Sequence, residues 1–386
     1  MRFSLPFRCL ALAFSLQTAV AAETALLEQT NLFDITDGQY QSYRIPCLLA
    51  LPDSTVLAFT SARKSVSDWA DIDLMLRRST DGGQTWEKAR VIANSGTDTC
   101  DNPVAIWDST KKVVHFLHQI NYERVYYLRS EDGGKTFSQP RDITPQLEAF
   151  RKAYPWHVIA TGPGHGIELK NGRLVVPVWL SPGEKKKDGA GRKHHPSVVS
   201  VIYSDDHGET WHCGDLVPDT LKNLNESVAV EKPDGGVHLF MRNEDSGYAV
   251  AVSTSKDGAT QWSAPRLVPE LYSPICFASV LRLPKAENKS RLLFANPDSR
   301  KNTKVIREWG GRPRENLTLK LSEDDGKTWP VQRVLEPGRS GYSDLAVLPD
   351  GTFLCLYERG DVPGHDLNTR FLTIARFNLK WLQGAK

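Results

Sequence analysis

The sequence predicts an all-β chain, a six-bladed β-propeller built from four-stranded antiparallel blades. Three observations carry that expectation. A short pattern, Ser-x-Asp-x-Gly-x-x-Trp, recurs five times along the chain. Strand-length apolar runs bounded by Gly, Asp, Asn or Pro fill the stretches between the copies. Helical periodicity is scarce. The copies start at Ser79, Ser130, Ser204, Ser255 and Ser322, so they lie 51, 74, 51 and 67 residues apart. A repeat at that period marks an array of supersecondary units, and roughly 60 residues per blade suits six blades.

From the N-terminus, Arg2 and Arg8 precede an apolar run at 9–16 and the small residues Ala19-Val20-Ala21. This is the pattern of a secretory signal over 1–21, leaving 22–386 as one propeller domain without a linker. No later apolar run approaches the ~20 residues of a membrane helix. The expectation is an exported chain, periplasmic or secreted, with no membrane span.

A strand near Asn31–Phe33 comes first, placed to complete the last blade and remove an exposed sheet edge. Val56-Leu-Ala-Phe59 follows, then Val113-Val-His-Phe-Leu117. Pro145 to Ala153 is the best helical candidate. Leu174-Val-Val-Pro-Val178, Val198-Val-Ser-Val-Ile-Tyr203 and Phe353-Leu-Cys-Leu-Tyr357 continue the series, and Leu372-Thr-Ile-Ala-Arg-Phe377 reads as the closing strand. Each repeated pattern is a hairpin turn. Its Ser and Asp accept backbone N–H bonds, its Gly allows a positive φ, and its Trp anchors the turn. The copy at Ser130 has Phe137 for Trp, and the copy at Ser255 has Ala259 for Gly. Five such turns at separate loop tips cannot converge on one site, so their Asp residues are structural.

Net charge is +2, which gives no polyanion-binding signal and no expectation of nucleic acid. Beyond Cys9 in the leader, five widely spaced Cys remain, at 47, 100, 213, 276 and 355. They form neither a disulfide framework nor a metal motif, and buried free thiols are expected. His157 and His165 lack metal-ligand spacing. Asn225, Asn288 and Asn316 open N-x-Ser/Thr sequons. Lys185-Lys-Lys187 with Arg192-Lys-His-His195 makes a basic loop, read as a solvated face with steering of acidic substrates as the alternative.

A propeller gathers loops from every blade at one end, so site residues should be scattered in sequence. Arg44 in Tyr43-Arg-Ile-Pro46, Arg242 in Phe240-Met-Arg-Asn243, and Arg314 in Arg314-Glu-Asn-Leu317 each sit at the edge of a strand-like run. Three converging guanidinium groups would repel one another without an anion, and a carboxylate or phosphate is their natural partner.

With these motifs the chain resembles the exo-α-sialidases (neuraminidases) over essentially all its length after the leader. The resemblance rests on the five turns, which are that family's Asp boxes, and on Tyr43-Arg-Ile-Pro46 and Gly162-Pro-Gly-His165. It continues through Asn225-Glu-Ser227, Arg242, Arg314, Tyr342-Ser-Asp344 and Tyr357-Glu358. It implies that Arg44, Arg242 and Arg314 grip the carboxylate on the anomeric carbon of a sialic acid, and that Glu358 holds Arg44. It implies Tyr342 as nucleophile, a neutral phenol where a carboxylate would be repelled by the substrate, with Glu226 as its base. Asp68, five residues after Arg63, is the expected acid/base, with Asp71 as rival and Asp73 read as structural. Arg63 and Asn102 would contact the sugar, and Trp156 and Trp179 are candidates for the acyl or glycerol side. No metal or cofactor is needed.

The function so implied is retaining hydrolysis of terminal α-linked sialic acids from glycoproteins, glycolipids and oligosaccharides. A monomer is expected. The alternatives are a trans-sialidase or anhydro-forming intramolecular sialidase, a hydrolase of another 2-keto acid sugar such as Kdo, and a non-catalytic glycan-binding propeller. The last should lack one of Tyr342, Glu226 and Asp68, and all three are present. Glycans on Asn225 or Asn316 would block the site, so unused sequons and a bacterial exported enzyme are expected.

Overall fold

The computed structural model describes residues 1, 24–187, 189, 191–244, 247–284, 289–306 and 311–384. The expected leader therefore lies, apart from Met1, outside the described residues, as does Asn288. Among them the chain is all-β and forms five hydrogen-bonded sheets.

The strands run in chain order. β1 (Leu27–Asp34) is followed by the first sheet, β2 (Ser42–Ala50), β3 (Val56–Arg63), β4 (Ile72–Ser79) and β5 (Arg90–Ala93). The second sheet is β6 (Cys100–Asp108), β7 (Val113–Ile120), β8 (Arg124–Ser130) and β9 (Arg141–Asp142). A 3-10 helix, Thr144–Lys152, occupies the helical candidate segment. Then come β10 (Val158–Thr161), β11 (Gly164–His165), β12 (Ile167–Glu168), β13 (Leu174–Ser181), β14 (Val198–Ser204) and β15 (His212–Cys213). They make the third sheet, except that β11 pairs parallel to β6 of the second. The fourth is β16 (Leu224–Glu231), β17 (Val237–Asn243), β18 (Ala249–Ser255) and β19 (Arg266–Tyr272).

The fifth sheet has seven strands, β1 together with β20 (Ser279–Arg282), β21 (Leu292–Pro297), β22 (Glu315–Ser322), β23 (Val331–Val347), β24 (Phe353–Val362) and β25 (His365–Phe377). Its pairing changes partner midway along β23, with residues 331–339 on β22 and residues 340–347 on β24. The N-terminal strand pairs antiparallel with β25, Leu27 facing Phe377 and Asp34 facing Phe371. A short helix, α1 (Leu379–Leu382), follows, which the strand-rich sequence pattern missed.

The sheets bury both faces, which explains runs such as β3 and β13 that are buried at every position. Neighbouring sheets share one core layer each. Leu57, Phe59 and Leu76 of the first sheet meet Phe116 and Leu128 of the second. Leu117 and Val125 meet Val176 and Ile202 of the third. Val175 and Val201 meet Leu239 and Met241 of the fourth. Phe240 and Val250 meet Val280 and Phe294 of the fifth. Leu293 and Leu319 then pack on Leu345 and Phe377, the other half of that sheet. Leu354, Leu356 and Ile374 pack back on Leu48 and Val56 of the first.

The five repeated turns join β4 to β5, β8 to β9, β14 to β15, β18 to β19 and β22 to β23. In the first, Ser79 Oγ accepts the Gly83 N–H at 2.9 Å and donates to Asp81 at 2.7 Å, and Asp81 accepts the Thr85 N–H at 2.9 Å. The same Ser–Asp bond closes the other four. All five remaining Cys are unpaired thiols, four of them buried.

Candidate active site

A cavity of about 410 Å³ opens where all five sheets meet. Its wall contains Arg44, Arg63, Asp68, Asn102, Glu226, Arg242, Arg314 and Tyr342, contributed by strands and loops spread over 298 residues of sequence, from Arg44 to Tyr342. Local backbone irregularity aims these side chains. The pairing register breaks between Arg44 and Cys47, between Asp101 and Val104, between Leu224 and Ser227, and between Ser340 and Ser343. Ile45 and Asn102, each directly before a proline, have φ values of 57° and 56°. A bulge re-aims a side chain out of the alternating pattern, which turns residues of buried strands toward the cavity.

Tyr342 stands at the centre of the contacts. Its hydroxyl lies 2.8 Å from Glu226 Oε1 and 2.6 Å from Oε2, and accepts from Arg242 Nη1 at 2.6 Å. The guanidinium carbons of Arg44 and Arg314 each lie 5.1 Å from the ring centroid, and Phe277 packs against the ring at 5.7 Å. Burial pushes the Tyr342 phenol well above its ordinary range, outweighing the three arginines, so it is neutral near pH 7. Burial also raises the Glu226 carboxyl, in spite of Arg242 at 2.9 Å and the phenol hydrogen bond. A phenol with a buried carboxylate in hydrogen-bond reach has the geometry that a nucleophile and its base require.

The three arginines are fixed separately. Arg44 Nε donates to Glu358 Oε1 at 3.2 Å. The fully buried Glu358 also accepts the backbone N–H of Ile45 at 3.0 Å and of Tyr342 at 3.1 Å. Arg314 Nη2 donates to the Ile275 carbonyl at 2.6 Å. Arg242 Nε donates to Asn225 Oδ1 at 2.7 Å, and its Nη2 to Glu244 Oε1 at 2.6 Å. Arg44 Nη2 and Arg314 Nε are buried with no partner among the described residues. Unsatisfied buried donors are costly, and an entering anion would satisfy them.

Arg63 is held between two carboxylates, Asp101 at 2.9 Å and Asp68 at 2.6 Å. Asp68 sits on the loop after β3 with its side chain half exposed. Desolvation pushes its carboxyl up, but Arg63 and Arg44, with a smaller contribution from His194, reverse this and hold it well below the usual range. Asp71 and Asp73 do not line the cavity, and Asp73 accepts from the Tyr40 hydroxyl and the Asn94 amide.

Of the two tryptophans, Trp179 lines the cavity. Trp156 does not. It is 1% exposed in the core between the second and third sheets, with Arg151 stacked on its ring. The basic loop is solvated at Lys185, Lys187, Lys193 and His195, as expected, but Lys186, Arg192, Lys193, His194 and His195 also line the cavity. Sequence reasoning missed Asp101, Tyr122 and Glu244. Glu244 had a signal, two residues beyond Arg242, the spacing that shares a strand face. Tyr122, in a turn with φ 53°, had none.

The cationic lining, with its own carboxylates engaged by arginines, suits an anion and not a metal ion. The BNR repeat-like domain family matches residues 89–355, and the BNR/Asp-box repeat matches residues 77–88. The chain is 31% identical over 382 residues to a sialidase of Micromonospora viridifaciens, covering 89% of this chain and 53% of that protein, so it spans about half the length of that relative. A sialidase of Paraclostridium sordellii is 29% identical, with 90% of this chain and 89% of that protein covered. Mouse sialidase-3 is 29% identical, with 86% and 91% covered. Among solved structures, the Hadza microbial sialidase Hz136 aligns with a TM-score of 0.74 at 27% identity, over 91% of this chain and 68% of that one.

Proposed function

This chain belongs to the BNR/Asp-box sialidase family, and we propose that it is a retaining exo-α-sialidase. It hydrolyses terminal α-linked sialic acids from glycoproteins, glycolipids and oligosaccharides. The observation that carries this reading is the Tyr342–Glu226 pair set among three arginines, two of which hold unsatisfied donors.

In this reading Arg44, Arg242 and Arg314 bind the carboxylate on C2 of the sugar and so place C2 beside Tyr342. Each charge-assisted hydrogen bond is worth about 1.5–3 kcal/mol. Tyr342 Oη attacks C2 while Glu226 takes the phenolic proton, and Asp68 protonates the departing glycosidic oxygen. Water, deprotonated by Asp68, then attacks C2 from the opposite side, and Glu226 returns its proton to the leaving phenol. Asp68 must be protonated to act first. Arg63 holds it ionised in the empty site, and a bound carboxylate beside Arg44 raises its proton affinity. Arg63 and Asn102 contact the sugar ring.

The sheet contacts support a six-bladed propeller. The two halves of β23 divide the seven-stranded sheet into two four-stranded blades, and six core layers follow one another in a cycle. The catalytic domain is then 22–386, exported through the leader at 1–21 to the periplasm or medium. The Asn225 amide is occupied by Arg242 and Glu244, which supports an unused sequon.

The test is hydrolysis of sialosides by wild type, Tyr342→Phe and Asp68→Ala, with NMR of the first product. α-Sialic acid should appear first. Asp68→Ala should lose about 10²–10⁴-fold on natural sialosides, and much less on a fluorogenic substrate whose leaving group needs no proton. Absence of turnover by folded wild type, or β-sialic acid appearing first, would refute the reading.

A further inference from the structure

The basic hairpin, described at residues 182–187, 189 and 191–197, is built into the site. Lys186 N donates to the Gly191 carbonyl at 2.9 Å and Lys193 N to the Glu184 carbonyl at 2.8 Å. Arg192 pairs with Glu123 at 2.9 Å, Lys193 with Glu184 at 2.7 Å, and His195 with Glu244 at 2.6 Å. Gly191 lies flat on Trp69, where a Cβ would approach the indole to 2.2 Å. These contacts fix the hairpin backbone and the side chains of Arg192, Lys193 and His195. Lys185 and Lys187 are exposed, while Lys186 is half-buried and lines the cavity. Lys186 has no carboxylate partner among the described residues, although Arg192, Lys193 and His195 all do.

The hairpin lies on the Asp68 side. Trp69 directly follows Asp68 in sequence, and its ring is 5.7 Å from that of His194. Burial holds His194 down at about 4, opposed by Asp68 and reinforced by Lys186, so both charges lie within electrostatic reach of that ring. The residue that protonates the leaving oxygen must sit beside the aglycone. In the sialidase reading the carboxylate of the sialic acid being transferred is already taken by three arginines, so Lys186 is surplus to its recognition.

We propose that Lys186, carried by this hairpin, forms an anion subsite for the aglycone, so that sialosides whose penultimate sugar itself bears a carboxylate or sulfate are preferred. This rests on the sialidase reading above. Its chemistry is a charge-assisted contact to an anionic oxygen, and either a second sialic acid or a sulfate ester supplies one.

The experiment measures kcat/KM for sialyllactose, for the same trisaccharide sulfated on galactose, and for disialyllactose, in wild type, Lys186→Met and Lys187→Met. Wild type should favour at least one anionic aglycone by about tenfold at low salt, one charge-assisted bond's worth, with the gain carried by KM and lost at about 1 M salt. Lys186→Met should bring the ratio near one, and Lys187→Met, an equal change of net charge, should retain it. Preference for the disialyl or the sulfated compound identifies the source of the anion. A wild type indifferent to aglycone charge overturns the proposal. So does an equal effect of the two lysine variants, which would mean long-range steering. Failure to cleave all three compounds instead sinks the sialidase reading.

Discussion

Tyr342 and Arg242 share one polar network, and its outermost member makes a measurable prediction. Glu244 accepts from Arg242, Asn225 and His195. Burial opposes its ionisation, but Arg242 and His195 outweigh it and hold the carboxyl down at about 2, against 4.5 for a free glutamate. A depressed carboxyl adds stability that is complete above the unfolded value. That stability is lost as pH falls through the folded one, so the window runs from about 4.5 down to about 2. The full shift corresponds to about 3 kcal/mol. Denaturant unfolding at stepped pH should show wild type converging on Glu244→Gln across that window, with the gap widest near neutrality. A gap that is constant with pH would show that Glu244 acts by packing alone. At this scale the sequence named residues that the fold gathers around one cavity and missed those that hold them. Asp101 and Glu244 are ordinary acidic residues until the fold presents an arginine to them.

At the scale of the strand, site residues occupy the places where pairing is interrupted. β23 carries both the break at Ser340–Ser343 and Tyr342. Gly341 makes the break possible, because a Cβ there would come within 2.2 Å of Glu358 Oε2. Glu358 is also the support of Arg44 and of the Tyr342 backbone. Gly341→Ala should therefore displace Glu358 and lower kcat/KM by at least about tenfold through misplacement of both groups, with a stability loss of about 1–3 kcal/mol from overpacking. Assay and melting together check this, and wild-type kcat/KM in a folded Gly341→Ala protein would count against it. Close by, the buried Asp344 accepts from Leu48 N at 2.8 Å and Ser279 Oγ at 2.9 Å and pairs with His165 at 2.7 Å, tying together four strands of three sheets. This gives a structural reason for His165 and Asp344, the members of the Gly162-Pro-Gly-His165 and Tyr342-Ser-Asp344 motifs to which the catalytic reading gives no role. The strands themselves were legible as apolar runs. The bulges were not read from the sequence: a proline accompanies two of them, at Pro46 and Pro103, and a register break elsewhere leaves no mark in composition.

For the whole molecule, the pairing of β1 with β25 joins the two ends of the chain. Deleting 27–34 would leave the outer edge of β25 with unpaired backbone groups and would remove the buried Leu32 and Phe33, each worth about 1.5–3 kcal/mol. The deletion variant should melt well below the full chain and associate with rising concentration on size exclusion. Unchanged melting and elution would show that the closure contributes little. Sequence alone determined the all-β class, the repeated turns and the run of strands, because turn chemistry and strand patterning are local, and it named most of the charged residues that line the cavity. It also placed the N-terminal and C-terminal strands side by side, since an unpaired edge is unfavourable wherever it occurs. Only the tertiary structure decided that Trp156 is core and Trp179 is wall, that the basic hairpin folds over the cavity, and that Asp101 and Glu244 support arginines. Those outcomes depend on which side chains meet across sheets, and contacts between residues so far apart in sequence have no local signature.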